Sequence, residues 1–436
     1  MMLNSLHAND RQGEYPRSWY VDTSHPLPLQ PALLRHGETE ICIIGAGFTG
    51  LSAALHLAQA DKRVTILEAH RIGWGASGRN GGQVSSGQRR DQADLEAMFG
   101  AETSKRLWQL GEEAKRLVSL LITKHAIDCE IRQGIIHADH RPRFVSHSRD
   151  HVAKMNDHYG YGAIRFLDQE EVRSLIGSTN YFGGTHDSGA FHIHPLKFLF
   201  ALARLVTEAG VVIHENSEVC SVEEGDPVIL TTTSDKRLRA DKIVFACNGY
   251  LDRLNTKIAS RVMPINNFII ASEPLGKKMA RKLISDNSAV SDSRFVINYF
   301  RRTSDHRLLF GGGETYGHQF PSDIRGFVRK PMLKIFPQLR DVKIEYGWGG
   351  TLAITRNRLP VFARLRSNVW SASGYSGHGI SIATLAGKIL ADAICDKTAD
   401  FETMSGIAAK RFPGSLMLRK PLLLLAMLWY AMRDRL

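Results

Sequence analysis

Apolar and polar positions along the chain sort into three kinds of stretch. Short unbroken apolar runs come first: Ile41–Ile44, Val64–Leu67, Val211–Ile213 and Ile243–Ala246. Each has the length of a buried strand. Apolar positions at helical spacing follow Gly50, in Leu51–Ala60, and recur through 92–127 (Leu95, Met98, Phe99, Leu107, Leu110, Ala114, Leu117, Leu120, Leu121). Helices are also predicted over Asp150–His158, Leu196–Ala209, Asp323–Phe336 and Ser381–Cys395. Strands are predicted at Ile131–Ala138 and Ala163–Leu167. Val219 continues the β pattern toward a hairpin of Val228–Thr232 with Arg239-Ala240. From 263 to 345 the pattern turns to β, with Val262–Ser272, Arg294–Arg301, Arg307–Gly313 and Lys343–Tyr346, and a short strand follows at Val369–Ala372. The third kind is glycine-dense and fits neither period: Arg71–Val84, Gly183–Pro195, Gly347–Gly350 and Gly374–Ile380. These read as loops.

One junction carries chemistry. Ile41–Ile44 enters Gly45-Ala46-Gly47-Phe48-Thr49-Gly50, the helix follows, and Val64–Leu67 ends in Glu68. Strand, glycine turn, helix, strand and terminal carboxylate together form the dinucleotide-binding fingerprint in full context. Gly45 permits the tight turn, Gly47 lets backbone approach a pyrophosphate, and Gly50 lets helix and strand pack closely. The helix N-terminus offers free N–H groups. Glu68 stands where it can accept hydrogen bonds from a ribose. No second complete fingerprint is present, so a separate NADPH site has no support.

Composition narrows the picture. With 436 residues, 43% of them hydrophobic, the chain buries a large core and is expected to form two domains. Its five cysteines (Cys42, Cys129, Cys220, Cys247, Cys395) form no CxxC, against a disulfide reductase, a zinc site and a stapled secreted protein alike. Met1–Gln30 is polar and proline-bearing, without a signal-peptide core, so a cytoplasmic location is expected. The net charge of +12 does not point to nucleic acid: six Lys and Arg against Asp434 put +5 into the last 27 residues, and no aromatic-interleaved basic module appears elsewhere. Within that tail, Pro421–Met432 is apolar and too short for a bilayer span of about 20 residues. Its basic flanks allow peripheral contact with an anionic inner-membrane surface. Packing on the body or on a second subunit is favoured, because Leu and Met lie all round the predicted helix.

The fingerprint, Arg71–Val84, Ala246–Tyr250, Tyr299–Gly313 and Gly374–Gly379 together resemble the D-amino-acid-oxidase-type flavoproteins. The stretches Gly73–Gln83, His192–Pro195, Phe336–Leu339, Gly374–Gly379 and Arg433–Leu436 are most similar to the gamma-glutamylputrescine oxidase branch of that family. The resemblance implies an α/β fold in which an interleaved Rossmann-type FAD domain is capped by a mostly antiparallel α+β substrate domain. The expected division is an arm over 1–38; an FAD domain of 39–95, 186–262 and 345–415; a substrate domain of 96–185 and 263–344; and a tail over 416–436. The family's FAD-binding positions map onto Gly45, Gly47, Phe48, Thr49 and Gly50, onto Glu68, Ala69 and Arg71, and onto Gly75, Ala76, Ser77, Arg79, Asn80, Gly81 and Gly82. They continue at Val219, Asn248, Gly249, Gly374, Ser376, Gly377, Gly379 and Ile380. Covalent attachment of the flavin stays open, with His378 in the loop concerned.

The resemblance implies oxidation of an amine C–N bond, most closely of gamma-glutamylputrescine or a related polyamine conjugate, to an aldehyde, ammonia and hydrogen peroxide. Alternatives on the same fold are a D-amino acid, glycine or sarcosine-like amine as substrate, or a dehydrogenase that passes electrons to a quinone in place of dioxygen. A flavoprotein that binds nucleic acid through its basic surface is the competing class. The chemistry sets its own demands. An amine must be neutral to give up hydride, so the pocket has to disfavour ammonium by desolvation or a nearby histidine. His192, His194 and His378 sit in glycine-rich contexts, and no carboxylate or cysteine joins them at metal-ligand spacing, so no metal is expected. Backbone N–H groups of Gly374–Gly379 at a helix start suit the negative charge gathered by a reduced flavin. Tyr375 and His378 in that loop, and Tyr299 and Arg301 on the second sheet, are the candidate catalytic side chains. Arg301 or its neighbour Arg302 suits a substrate carboxylate, and strand alternation lets only one of them point inward.

Overall fold

The computed structural model describes residues 5–407 and 409–413. The expected apolar tail over 416–436 lies outside them. Two sheets organise the rest. The first has eight strands, with the path Val361–Arg366, Val369–Ser373, Arg237–Phe245, Gly37–Ile44, Val64–Leu67, Val212–His214. A hairpin of Val219–Glu223 and Val228–Thr232 extends it along Arg237–Phe245. Its central strands are parallel, with Ile43 beside Val244 on one flank and Ile66 on the other. Both faces are covered, which is why these strands read as unbroken apolar runs. Helices Phe48–Ala58, Pro195–Glu208 and Gly379–Ile394 pack on one face, while Cys42, Ile44, Leu230, Leu238 and Ile258 form the core of the other.

Helices Phe48–Ala58 and Gly379–Ile394 lie unusually close. A Cβ added to Gly387 would meet the Thr49 carbonyl at 2.5 Å, and Ser52 Oγ donates to the Thr384 carbonyl at 2.6 Å. The long helix Ala101–Lys124 sends Leu107, Leu110, Ala114, Val118 and Leu121 into this same core.

The second sheet has nine strands, with the path Ile344–Ile354, Met263–Ser272, Leu308–Thr315, Tyr299–Arg302, Ala289–Asp292, Arg132–Ala138, Gly184–His192, Gln83–Val84. All its pairings are antiparallel except that of Ala289–Asp292 with Arg132–Ala138. Phe268, Phe300, Phe310, Phe336 and Met332 fill its core.

Two glycine-dense segments expected to be loops are strands. Gly184–His192 pairs with both Arg132–Ala138 and Ile164–Leu167. Its glycines serve close neighbours: a Cβ at Gly184 would meet the His137 carbonyl at 2.3 Å, and one at Gly189 the Tyr161 hydroxyl at 2.4 Å. Gly347-Trp348-Gly349-Gly350 runs inside Ile344–Ile354, where Phe320, Phe268 and Arg79 lie against the bare backbone. Conversely, the strand expected over Arg294–Arg301 is paired only at Tyr299–Arg302. Before it, the Asp292 carboxylate accepts the N–H groups of Arg294 and Asn298 and folds 293–298 into a turn. Gln83–Val84, most of Gly184–His192 and Ile344–Ile354 therefore join the second sheet, although the expected division grouped them with the first. The chain crosses between the sheets at each of these points. Among the described residues no helix is long and apolar enough to cross a membrane.

Candidate active site

The candidate site is built where Gly37–Ile44 ends. Gly45 has φ +107°, and a Cβ there would meet the Ala246 carbonyl at 2.9 Å, so glycine is required on both counts. Gly45 N–H donates to Leu67, and the Ala46 N–H to Glu68 Oε2 at 2.7 Å. Glu68 Oε1 accepts from the His70 N–H, and Ala69 between them is half-buried. Burial pushes the Glu68 carboxyl up to about 7 against the pull of those N–H groups. Gly47 precedes the helix with no side-chain cap, and the Phe48 N–H is met by Ser77 Oγ at 3.1 Å. The helix start is thus turned toward the loop Gly75–Gly82.

That loop locks itself. Ala76–Gly78 forms a single 3-10 turn, Asn80 Nδ2 donates to the Ala76 and Ser77 carbonyls, and Asn80 Oδ1 accepts the Gly82 N–H. Gly75 faces the Tyr250 ring, and Gly81 the Tyr299 ring. Arg79 is buried. It lies over Trp74, pairs with Asp10 at 2.8 Å and donates to the Gly349 carbonyl. Arg71 turns the other way: its Nε reaches both oxygens of buried Glu215 at 3.0 Å.

From the opposite side comes Gly374–Gly379. Gly374, Ser376 and Gly377 take φ of +80°, +55° and +89°. Asn248 Oδ1 accepts the Gly374 N–H at 3.0 Å, and a Cβ at the adjacent Gly249 would press on Leu352. The Ser376 N–H donates to Ala353, and Ser376 Oγ accepts from the Thr355 N–H. Helix Gly379–Ile394 then starts at His378 without a side-chain cap, Ile380 buried in its first turn. The two helix starts are tied together by a 2.6 Å hydrogen bond between the Thr49 and Tyr375 hydroxyls. Val219 lies farther off, in the core under the hairpin.

The candidate catalytic side chains separate into two sets. Tyr375 is buried and committed to Thr49, and burial raises its hydroxyl pKa. Arg301 is 2% exposed and donates to the Gly81 carbonyl at 3.0 Å and the Tyr20 hydroxyl at 3.3 Å. It points inward, as alternation allows, but toward the loop backbone. Arg302 donates to Asn287 Oδ1. Arg301 positions the loop Gly75–Gly82, and Tyr375 ties the second helix start to the first. Tyr299 and His378 remain at the crevice. Tyr299 lies across Gly81 and Gly311 and donates to Asn267 Oδ1 at 2.6 Å. His378 is half-buried, its Nε2 has no protein partner, and burial, then the charge of Arg89, pushes it down to about 4. The other two histidines stand apart. His194 caps helix Pro195–Glu208 through Nδ1, and His192 Nε2 bonds the Asn287 carbonyl. Burial pushes them down to about 2 and about 3.

Sequence reasoning missed the arm's contribution. Asp10 holds Arg79, and buried Tyr20 joins the Asn80 carbonyl to Arg301. It also missed Arg89, although an Arg-Arg pair five residues past the glycine loop was a visible signal. Arg89 donates through Nε to the Ser376 carbonyl at 3.2 Å.

A parallel sheet with a glycine-cradled, open helix start, capped by an antiparallel sheet, defines a flavin-dependent oxidoreductase. The chain matches the family described as FAD dependent oxidoreductase (DAO) over residues 40–393, and it belongs to that family. FAD is its cofactor. A probable oxidoreductase OrdL of Rhizobium meliloti is 39% identical over 96% of this chain and 97% of its own. A gamma-glutamylputrescine oxidoreductase of Escherichia coli is 34% identical over 97% of this chain and 99% of its own. Among solved structures, glycine oxidase from Geobacillus kaustophilus shares the fold, with TM-score 0.71 and 20% identity over 86% of this chain and 100% of that one. The chain is a flavin oxidoreductase acting on amine or amino-acid substrates.

Proposed function

We propose that the protein oxidises the primary amine of gamma-glutamylputrescine, or of a related gamma-glutamyl polyamine, to the aldehyde. Two hydrogens leave the C–N unit to give an imine, water hydrolyses the imine to aldehyde and ammonia, and the two electrons end on dioxygen as hydrogen peroxide. Bound FAD supplies the two-electron acceptor. The residues present fit that group. Gly45 and Gly47 bring bare backbone to a helix start that carries no side-chain cap, where a pyrophosphate would lie, and Glu68 at the end of the next strand would offer its carboxylate to a ribose. The loops Gly75–Gly82 and Gly374–Gly379 would hold the ring system between them. Trp74 Nε1, Arg79 Nη2 and His378 Nε2 are buried polar atoms without a protein partner, which bound cofactor and substrate can satisfy.

The observation that carries the reading is how strongly the recess penalises positive charge. His378 is pushed down to about 4 and Arg89 to about 10, by burial first and by neighbouring cations next. An alkylamine with an ordinary pKa of about 10.4 is driven toward its free base in such a site, and only the free base has the lone pair that C–H cleavage needs. The gamma-glutamyl part of the reading is supported by the full-length likeness to the Escherichia coli relative.

Anaerobic titration of the purified protein, read by flavin absorbance, tests it. Gamma-glutamylputrescine should bleach the flavin rapidly, and putrescine, sarcosine, glycine and D-alanine slowly. Faster bleaching by an amino acid or by sarcosine would move the substrate to that class. Stoichiometric oxygen uptake marks an oxidase, and its absence a dehydrogenase.

A further inference from the structure

The second sheet turns one row of side chains toward the loop Gly75–Gly82. Tyr299 stands opposite Gly311 in the register and Asn267 opposite Gly350, so each pair shares a face. That face meets the loop at two points. A Cβ at Gly81 would meet Tyr299 Cε2 at 2.7 Å, and one at Gly350 would meet Arg79 Cβ at 3.2 Å. The Tyr299 ring has bare backbone on its other side as well, since a Cβ at Gly311 would fall 2.0 Å from its Cζ. Its hydroxyl donates to Asn267 Oδ1 at 2.6 Å, and Asn267 Nδ2 donates to the Gly313 carbonyl at 3.0 Å. A bulge brings that carbonyl into reach. Asn267 pairs with Glu314 and Ile269 with Gly311, so Gly312 and Gly313 together stand opposite Phe268. Gly313 has φ +76°, and a Cβ there would meet Phe327 Cε1 at 2.4 Å. Tyr299 and Asn267 are both half-buried.

These bonds fix the polarity of the phenol. The Gly313 carbonyl can only accept, so it holds the Asn267 amide with nitrogen toward the bulge and oxygen toward Tyr299. A phenol has one proton, and here it is committed to that oxygen. What remains at the Tyr299 oxygen is acceptor capacity. Such a group suits an N–H and rejects a carboxylate, which has no donor to offer. We propose that Tyr299 accepts a hydrogen bond from the reacting amine of the substrate, and that Asn267, anchored on the Gly312–Gly313 bulge, is the positioning residue that keeps the phenol an acceptor. A free amine has two N–H donors and one lone pair, so holding one N–H stops rotation about the C–N bond and aims the lone pair. The same polarity separates substrate classes. An alpha-amino acid carries its carboxylate on the reacting carbon, beside an oxygen with no proton to give, whereas a gamma-glutamyl amine brings only N–H and C–H to that place. This role rests on the reading of a gamma-glutamyl amine as substrate.

The test uses the holoenzyme and three probes that differ only at the far end of the chain. Gamma-glutamylputrescine ends in the amine, gamma-glutamylpentylamide has a methyl in its place, and gamma-glutamyl-4-aminobutanoate ends in a carboxylate. Binding of the first is read from the concentration dependence of anaerobic flavin reduction, and binding of the other two from their inhibition of that reduction. Tyr299→Phe keeps the ring between Gly81 and Gly311. It should weaken gamma-glutamylputrescine about tenfold and change the pentylamide less than about twofold. Asn267→Leu frees the Tyr299 proton. It should weaken gamma-glutamylputrescine and tighten the 4-aminobutanoate at least about fivefold, because the phenol can then donate. Adding Tyr299→Phe to Asn267→Leu should abolish that gain. A loss shared equally by all three probes, or a gain for the carboxylate that survives removal of the hydroxyl, would overturn the role and leave Tyr299 and Asn267 as supports of the loop Gly75–Gly82. If gamma-glutamylputrescine does not reduce the wild-type flavin, the functional reading falls, and the amine that does reduce it, set against its own methyl isostere, decides the role of Tyr299. If it does reduce the flavin and Tyr299→Phe leaves its binding within about twofold, only the role of Tyr299 falls.

Discussion

The turns at Gly45–Gly50 and Gly374–Gly379 do the same job by different means. Each carries the chain from a strand of the first sheet into a buried helix that starts without a side-chain cap. The first is fixed within its own strand–helix–strand unit. Gly45 and Ala46 bond Leu67 and Glu68, and Gly50 sits so close to Gly45 that a Cβ would lie 1.9 Å from its carbonyl oxygen. The second is held by side chains from outside its own strand and helix, Asn248, Arg89 and Thr49, and by the Thr355 N–H on Ser376 Oγ, and has open space where a Cβ on Gly377 would go. Crowding fixes one turn and outside struts fix the other.

The same substitution therefore fails for different reasons in the two places. Gly50→Ala forces helix and strand apart, at a cost above about 3 kcal/mol. The flavin-to-protein ratio after purification should fall more than about tenfold. Gly377→Ala meets nothing but must hold φ near +89°, a strain of about 1–2 kcal/mol. It should lower the thermal midpoint and keep the flavin. Equal flavin loss in both would dissolve the contrast between crowding and struts.

A third helix start sharpens the comparison, because it is closed by a side chain. His194 accepts the Lys197 N–H at 3.2 Å and starts Pro195–Glu208 away from the crevice. Burial, with Arg301 nearby, holds His194 at about 2 and His192 at about 3. Their folded pKa values lie below the unfolded value near 6.5. The stability they confer is therefore complete above that pH and is lost as pH falls, when only the unfolded chain takes up the proton. Between pH 7 and pH 5 each should remove about 2 kcal/mol. Asparagine is a strong helix cap, so His194→Asn keeps an acceptor for Lys197. Chemical denaturation at the two pH values should show the acid loss reduced by about 2 kcal/mol in that variant. An unchanged acid loss would mean that His194 charges freely in the folded protein.

The same contrast explains how much could be read from the chain. The fingerprint was legible because strand, glycines, helix and Glu68 lie within 28 residues and each constrains its neighbours. The parallel sheet was legible too, since strands buried on both faces leave unbroken apolar runs. The supports of the second turn and of the loop Gly75–Gly82 were not legible. Arg301 as a strut on Gly81, Tyr375 as a tie to Thr49 and Tyr20 as a bridge to Asn80 depend on contacts across 220, 326 and 60 residues. Glycine density misled where Gly184–His192 and Gly347–Gly350 needed bare backbone against a neighbour within a strand, not a turn.

The smallest expected effect is the most specific. Tyr375→Phe removes one hydroxyl and leaves the buried Thr49 hydroxyl without its 2.6 Å partner. A buried donor left unsatisfied costs about 1–3 kcal/mol, while removing both partners in matching shapes comes close to neutral. Thr49→Val in the Tyr375→Phe background should therefore recover much of the loss. The coupling between the two sites should be about 1 kcal/mol in a double-mutant cycle read by denaturant midpoints. If the bond joins the two helix starts as a cofactor clamp, the cycle run with flavin bound should give a larger coupling than the cycle run on the stripped protein, because FAD then rewards the joined geometry. A coupling of the same size in both states would make the bond a packing detail of the two helices, and the second turn would owe its position to Asn248, Thr355 and Arg89 alone.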